Sequence, residues 1–96
     1  MALIGTQLTH SEDARKRAEG YDGLIGELRQ RLGWSRAGGG EQMIARHHER
    51  GKIPVRDRID LLIDPGCAFL ELSPLAGWGL YDGKLAAAGI VTGIGT

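Results

Sequence analysis

The residues best suited to metal or acid–base chemistry lie in the run Arg46-His47-His48-Glu49-Arg50. Adjacent side chains on a helix point about 100° apart, so His47 and His48 cannot share one ion. No histidine or carboxylate lies four residues from either one. Cationic side chains are favoured near a helix C-terminus. The run therefore predicts partly exposed helix residues rather than a metal site.

Other candidate ligands and nucleophiles are scattered. Asp57, Asp60 and Asp64 are spaced like a helix surface followed by a turn, which predicts a solvated face. Cys67 is the single cysteine, which excludes an internal disulfide and a cysteine metal cluster. Its apolar neighbours predict a small structural residue rather than a reactive thiol. We expect no metal ligands in this chain.

Glycine-rich segments give no nucleotide-binding pattern. The triplet Gly38-Gly39-Gly40 has no Lys-Ser/Thr after it and no strand before it, so it predicts a hinge or close approach rather than a phosphate loop. Gly77-x-Gly79 and Gly93-x-Gly95 lack the third glycine of a dinucleotide fingerprint. The residues alone identify no catalytic group.

Composition limits the classes of function. The chain has 96 residues, 42% of them hydrophobic, and a formal net charge of +0, which argues against a nucleic-acid-binding protein. No run of about 18 apolar residues is present, so no membrane span is predicted. The N-terminal segment of residues 1–9 is short and has no charged side chain, and the acidic residues Glu12 and Asp13 follow it. It therefore does not resemble a secretory signal or an Arg-rich, acid-poor transit peptide. A cytoplasmic location is expected.

The first predicted element is a long amphipathic helix. Thr9-His10-Ser11-Glu12 is typical of a capping box, with Ser11 as an alternative N-cap. Apolar residues then recur at spacings of four and three: Ala14, Ala18, Tyr21, Ile25, Leu28 and Leu32, with Leu24 beside them. Three glycines inside the helix, Gly20, Gly23 and Gly26, weaken it by about 1 kcal/mol each. The helix therefore needs a partner, either its own protein or another subunit.

Two shorter helices and two strands are predicted to follow. Gly33 and the glycine triplet should end the first helix, Glu41–Arg50 forms the second with Gly51 after it, and Pro54 opens the third. In the third helix, Val55, Ile59 and Leu62 form the expected buried stripe.

The helical period then gives way to strand-like segments. Ala68–Leu72 and Ala87–Ile94 read as strands on either side of a loop, Leu75–Gly83, that carries Trp78 and Tyr81. The glycines of the second strand predict close approach by another segment. Two strands do not make a stable sheet, so the element order indicates the beginning of an α/β fold.

The same residues form one ordered pattern: Gly38–Glu41, Arg46–Lys52, Arg56–Gly66, Phe69–Ser73 and Gly89–Gly95. It contains H-x-x-x-G-K-x-x-x-R-x-R-I-x-x-L-x-D-x-G and resembles the start of the carboxyltransferase (beta) subunit of biotin-dependent acyl-CoA carboxylases. The segment Leu72–Gly83 looks closest to the methylcrotonoyl-CoA branch. The resemblance covers about residues 11–95.

The resemblance implies an α/β fold in which N-terminal helices lead into the first strands of an incomplete crotonase-like (ClpP/crotonase) domain. Residues 1–36 would form an N-terminal amphipathic helix, and residues 37–96 the truncated start of the carboxyltransferase N-terminal domain. The family ligase moves CO2 from carboxybiotin to an acyl-CoA, here 3-methylcrotonoyl-CoA in leucine degradation. Biotin is carried by a partner (alpha) subunit, which alone uses ATP, and beta subunits form homo-oligomers. No nucleic-acid or membrane partner is expected.

The family's oxyanion-hole glycines match no position here, so no catalytic residue is carried over and the cofactor-binding residues stay unknown. Arg56 and Arg58 could contact CoA phosphates, but exposed helix arginines more often form salt bridges. Cys67 replaces a common serine, and Lys84-Leu85-Ala86 replaces a more acidic stretch. Family members run to several hundred residues, so an inactive fragment is expected. The alternatives are a propionyl- or acetyl-CoA-type fragment and a stand-alone helical interaction module.

Overall fold

The computed structural model describes Gly5, Gln7, Leu8 and residues 10–96. The predicted order of three helices, a strand, a loop and a strand is confirmed. The bounds are α1 Glu12–Arg36, α2 Glu41–Glu49, α3 Val55–Leu62, β1 Leu70–Leu72 and β2 Thr92–Ile94, with two tight turns at Leu80–Gly83 and Ala87–Gly89.

Helix α1 is capped by Ser11, whose Oγ accepts a hydrogen bond of 3.1 Å from the Ala14 amide. The capping box predicted at Thr9 lies outside the described residues, and the N-cap observed is the alternative, Ser11. The prediction that Gly33 ends the helix is wrong, because α1 continues to Arg36. One glycine costs about 1 kcal/mol, and the contacts of Trp34 and Ser35 described below hold the last turn in place.

Helix α2 ends at Glu49, one residue before the predicted Arg50, and Gly51 follows the helix as predicted, with φ +70. The Gly51 amide donates to the His48 carbonyl and the Lys52 amide to the His47 carbonyl, each at 2.9 Å. This pair of bonds is a Schellman motif, and it requires a left-handed residue at the glycine position. The motif reverses the chain and starts the short connection to α3.

Helix α3 does not bury the whole predicted stripe. Ile59 is half-buried, but Val55 is 45% and Leu62 is 84% exposed. The reason is that α3 reaches the sheet through a polar side chain, Arg56, which bonds Glu71 in β1. The prediction is therefore wrong for two of its three residues.

Strands β1 and β2 pair antiparallel, with Leu70 opposite Ile94, Glu71 opposite Gly93 and Leu72 opposite Thr92. Both strands are shorter than predicted. The start of the second is wrong because Ala87, Ala88 and Gly89 all have positive φ, between 48 and 73, which a pleated strand cannot accommodate.

The predicted close approach at the glycines of β2 is confirmed for Gly93 and Gly95. A Cβ at Gly93 would overlap the Phe69 ring and lie 2.5 Å from the Leu70 carbonyl oxygen. A Cβ at Gly95 would lie 2.9 Å from Cγ2 of Ile63. Phe69 and Ile63 therefore pack directly against backbone, and the Asp64 amide donates to the Thr96 carbonyl at 2.7 Å beside them.

The described part of the chain has little interior. Only Ser35 and Ala87 are buried among these residues. The radius of gyration is 19.4 Å, with extents of 63 × 36 × 17 Å, whereas a compact domain of this length would have about 12–13 Å. No helix in this part is long and apolar enough to cross a membrane.

Candidate functional site

A concave surface with charged walls lies between α2 and α3. It is an open depression lined by His47 from the last turn of α2, by Gly51, Lys52 and Ile53 from the connection, and by Arg58 from α3. The Schellman turn at Gly51 sets the direction in which the chain leaves α2, so it places Lys52 between the two helices. We call this surface the basic depression.

Positive charge is concentrated around the basic depression. Residues 46–58 contain five Lys or Arg and two Asp or Glu, a net charge of +3 in a chain whose total is zero. Lys52 and Arg58 form no ion pair with any described residue. Lys52 and Arg58 therefore line the depression without a carboxylate of the described residues within ion-pair distance.

Arg56 lies in the same charged segment but has a partner. Its two terminal nitrogens donate to the two carboxylate oxygens of Glu71 at 2.7 and 2.9 Å. The side chains are 25% and 14% exposed. These hydrogen bonds hold the pKa of the Glu71 carboxyl below its usual range, although partial burial opposes the shift. The expected salt-bridge use is thus confirmed for Arg56, whereas Arg58 has no such partner.

A second junction ties the end of α1 to the loop after β1. The Trp34 and Trp78 rings meet edge to face, with centroids 5.0 Å apart and planes at 85°. The Arg31 guanidinium lies 4.9 Å from the Trp78 ring centroid, within the range of a cation–π contact. The buried Ser35 hydroxyl donates to the Pro74 carbonyl at 2.5 Å.

Sequence reasoning missed this junction because it singled out Trp78 alone. Trp34 and Ser35 follow the last apolar residue of the α1 stripe, Leu32. A tryptophan just beyond the stripe, in a chain with two tryptophans, is the signal that could have paired it with Trp78.

The other residues singled out as candidate ligands do not converge. Of the two neighbouring histidines, His47 lines the basic depression and His48 is exposed elsewhere on α2. Asp57, Asp60 and Asp64 are exposed, and Cys67 is a half-buried free thiol. Over residues 10–96, with Gly5, Gln7 and Leu8, no three His, Cys, Asp or Glu side chains group as metal ligands.

The apolar stripe of α1 is exposed along its central part. Tyr21, Leu24, Ile25 and Leu28 are between 42% and 66% exposed. An apolar face of this kind is typical of a surface that another protein segment covers. The chain's own described residues do not cover it.

Comparison with known proteins gives consistent relatives. The chain is 45% identical over 86 residues, 90% of its length, to the mitochondrial methylcrotonoyl-CoA carboxylase beta chain of Arabidopsis thaliana. It is 46% identical over 78 residues, 81% of its length, to the biotin-dependent 3-methylcrotonyl-coenzyme A carboxylase beta1 subunit of Mycobacterium tuberculosis. A propionyl-CoA carboxylase beta chain of Cereibacter sphaeroides is 38% identical over 78 residues, 76% of the chain.

The matched region is a small part of each relative. The chain spans 15% of the length of each of these three proteins. No family model matches the chain.

Proposed function

The chain is related over most of its length to the beta subunits of biotin-dependent acyl-CoA carboxylases, and on this premise we propose that it forms part of a carboxyltransferase subunit. Such a subunit moves CO2 from carboxybiotin to an acyl-CoA. The observation that carries the proposal is the identity of 40–46% with four methylcrotonoyl-type beta chains over 81–97% of this chain.

The proposed acyl-CoA is 3-methylcrotonoyl-CoA, which would place the reaction in leucine breakdown. Identity to the propionyl-type proteins is 37–38%, lower than to the methylcrotonoyl-type chains. A beta2 subunit named only as an acyl-coenzyme A carboxylase is 47% identical over 76% of the chain. The difference therefore supports the methylcrotonoyl branch, with propionyl- or acetyl-CoA as the alternative.

The proposed partner is an alpha subunit that carries biotin and uses ATP to charge it. We assign carboxybiotin to no described residue, because the basic depression and the shallow surface beside Trp34 and Trp78 are open and neither encloses a bicyclic ring. One proposed role of this chain is to position β1 and β2, which would enter a crotonase-like sheet.

The division into residues 1–36 and 37–96 is part of the same proposal. It is supported by the end of α1 at Arg36 and by three consecutive positive-φ glycines, Gly38–Gly40.

A cytoplasmic location is supported by the bacterial relatives; the Arabidopsis relative is named as mitochondrial. Fractionation of cells that express the tagged chain would test this location.

A transplant tests the proposed function. Residues 11–95 would replace the matching segment of a methylcrotonoyl-CoA carboxylase beta chain, co-expressed with its biotin-carrying subunit. We expect incorporation of labelled bicarbonate into 3-methylcrotonoyl-CoA in preference to propionyl-CoA. The control transplant carries the matching segment of a propionyl-CoA carboxylase beta chain. A soluble, assembled hybrid that carboxylates neither thioester would contradict the proposal.

We further propose that the 96-residue chain alone transfers no carboxyl group. Only two described side chains are buried, so this part of the chain does not provide the water-excluded, preorganised surroundings that stabilise an enolate. Measurable carboxylation of any acyl-CoA by the purified chain would refute this.

The exposed stripe of α1 favours a second candidate function, a helical interaction module that pairs with another beta subunit. Tyr21, Ile25 and Leu28 have the alternating spacing of four and three that is typical of helix pairing. Sedimentation tests it: the chain should form a dimer, Leu28→Glu should be monomeric, and Lys16→Glu, on the opposite side of the helix, should resemble the unchanged chain. A monomeric unchanged chain would exclude self-pairing.

A further inference from the structure

We propose that the basic depression between α2 and α3 binds the phosphate groups of the acyl-CoA, an inference that rests on the proposed function. Coenzyme A carries a pyrophosphate and a 3′-phosphate at the end remote from its thioester. The shared chemistry is a multiply charged phosphate anion held by Lys52 and Arg58, with His47 beside them.

The first argument is geometric. The lining side chains come from three successive parts of the chain, the last turn of α2, the connection and α3. Two hydrogen bonds of 2.9 Å fix the connection at Gly51 and Lys52. The backbone that presents Lys52 is therefore ordered before any ligand arrives, which lowers the entropic cost of binding.

The second argument is the contrast between Arg56 and Arg58. Both are α3 arginines, two residues apart, so they project in different directions on the helix. Arg56 is engaged by Glu71 at 2.7 Å, whereas Arg58 turns to the depression and has no carboxylate partner among the described residues. In α3, Arg56 therefore has a structural role, and Arg58 is available to a ligand.

The third argument is the local charge. Residues 46–58 carry a net charge of +3, or +2 once Arg56 is paired with Glu71, and the remaining cations repel one another. A bound anion removes this repulsion. Lysine and arginine are the residues that proteins use most for phosphate groups.

The shape of the depression agrees with this end of the ligand. It is open to solvent and not an enclosed cavity, so it suits a hydrated phosphate and not the acyl group, one carbon of which forms the new carbon–carbon bond. The residues of the depression should therefore affect acyl-CoA affinity and not the chemical step.

Calorimetric titration of the 96-residue chain with coenzyme A tests the proposal. Lys52→Gln and Arg58→Gln should each weaken binding roughly three- to ten-fold, and Lys52→Arg should retain it. Lys16→Gln and Arg17→Gln, which remove the same charges from α1, are matched controls and should bind as the unchanged chain does. Circular dichroism checks that all variants keep the same helix content.

Ligand variants identify the phosphate group. Dephospho-coenzyme A lacks the 3′-phosphate, and pantetheine lacks all phosphates. If the 3′-phosphate is the bound group, dephospho-coenzyme A should bind the unchanged chain and both depression variants equally weakly. If the pyrophosphate is bound, dephospho-coenzyme A should behave like coenzyme A. The affinity for pantetheine should be the same in every variant and in the unchanged chain.

Three results would overturn the proposal: undetectable binding of coenzyme A at 50 mM salt, equal loss in the α1 controls, or binding of pantetheine as tight as that of coenzyme A. None of these depends on carboxyl transfer. If the hybrid beta chain is active but Lys52→Gln leaves the affinity for coenzyme A unchanged, the phosphate site is refuted and the proposed function stands. If the hybrid is inactive but substitution of Lys52 or Arg58 still weakens coenzyme A binding, the proposed function is refuted and the phosphate site stands.

Discussion

At the scale of single residues, the Arg56–Glu71 pair decides how α3 meets the sheet. Both carboxylate oxygens accept bonds from one guanidinium, and the two side chains are mostly shielded from water. Removing one partner of such a shielded pair costs more folding stability than removing one partner of an exposed pair, because the remaining charge is left without compensation.

We expect Glu71→Gln to weaken the attachment of α3 to β1 by about 1–3 kcal/mol. The measurement is amide-exchange protection at Leu70–Leu72 and Thr92–Ile94, read residue by residue. Glu49→Gln, an α2 carboxylate that forms no ion pair with the described residues, is the control. Unchanged protection in Glu71→Gln would show that the pair contributes nothing.

The same pair predicts a dependence on pH. Because the pKa of Glu71 is lowered in the folded chain, its stabilisation is fully present above the unfolded glutamate pKa of about 4.3 and is lost as the pH falls through the lower folded-state pKa. Protection of the β1–β2 pair, corrected for intrinsic exchange, should therefore fall on acidification below about pH 4. Glu71→Gln should remove this loss, and persistence of the acid effect in that variant would assign it to another group.

The glycines of β2 make a second prediction for single residues. Gly93→Ala should abolish strand pairing, because its Cβ would meet the Leu70 backbone oxygen at 2.5 Å as well as the Phe69 ring. Gly95→Ala should be milder, because the atom at 2.9 Å belongs to the Ile63 side chain. Ile63→Ala should then partly rescue Gly95→Ala but not Gly93→Ala. Amide protection across the strand pair is the measurement, and rescue of both variants would show that backbone overlap at Gly93 is not limiting.

At the scale of elements, α1 contains glycines that no close contact requires. A Cβ at Gly20, Gly23 or Gly26 would meet nothing within 4 Å, and Gly23 lies on the side of the helix opposite the apolar stripe. These glycines therefore lower helix stability without a compensating close approach.

Gly23→Ala should stabilise α1 by about 1 kcal/mol. The expected signal is a stronger far-UV helical spectrum and slower amide exchange in the middle of α1. Gly39→Ala is the matched control, because Gly39 has φ +90 and an alanine there is strained in any surroundings. A helix content that falls in Gly23→Ala would contradict the helix described here.

Elements were predictable where a local signal settles the backbone. Ser11, the alternative to a capping box at Thr9, is the N-cap of α1, and the glycine after α2 is confirmed at Gly51. The length of the second strand was not predictable. Apolar alternation at Ile90, Thr92 and Ile94 suggests a longer strand, but the left-handed turn at Ala87–Gly89 reflects packing, with Ala87 buried, and no local rule favours positive φ for alanine.

The candidate site was predictable only in part, for a similar reason. Arg56 and Arg58 were both recognisable as possible phosphate ligands. Which one is free depends on Glu71, fifteen residues away from Arg56 along the chain, and such a pairing is visible only when the fold brings α3 onto β1. Lys52 and His47 join Arg58 through the same three-dimensional arrangement.

At the scale of the whole molecule, the described chain is an assembly of loosely joined parts. A radius of gyration of 19.4 Å, against about 12–13 Å for a compact domain, leaves few contacts to couple the helices to the strand pair. Most of the apolar stripe of α1 and the outer residues of α3 face solvent. Cooperative unfolding requires shared burial, and this chain has little.

We therefore expect the purified chain to unfold without a single sharp transition. In a thermal ramp, far-UV circular dichroism reports mainly on α1, and tryptophan fluorescence reports on the Trp34–Trp78 junction. The two curves should be broad and should not coincide. Coincident, steep curves from a monomer would contradict this expectation.

The junction at the end of α1 has a mechanical consequence. A helix of 25 residues is about 37 Å long, so a rotation of about ten degrees at Trp34 would move its Glu12 end by roughly 6 Å. Beyond Arg36 the backbone passes through three glycines, which offer no side chains to resist such a rotation. The edge-to-face rings of Trp34 and Trp78 and the Ser35 hydroxyl thus form the pivot of this rotation. A protein bound at the Glu12 end of α1 would transmit force to the loop before β2.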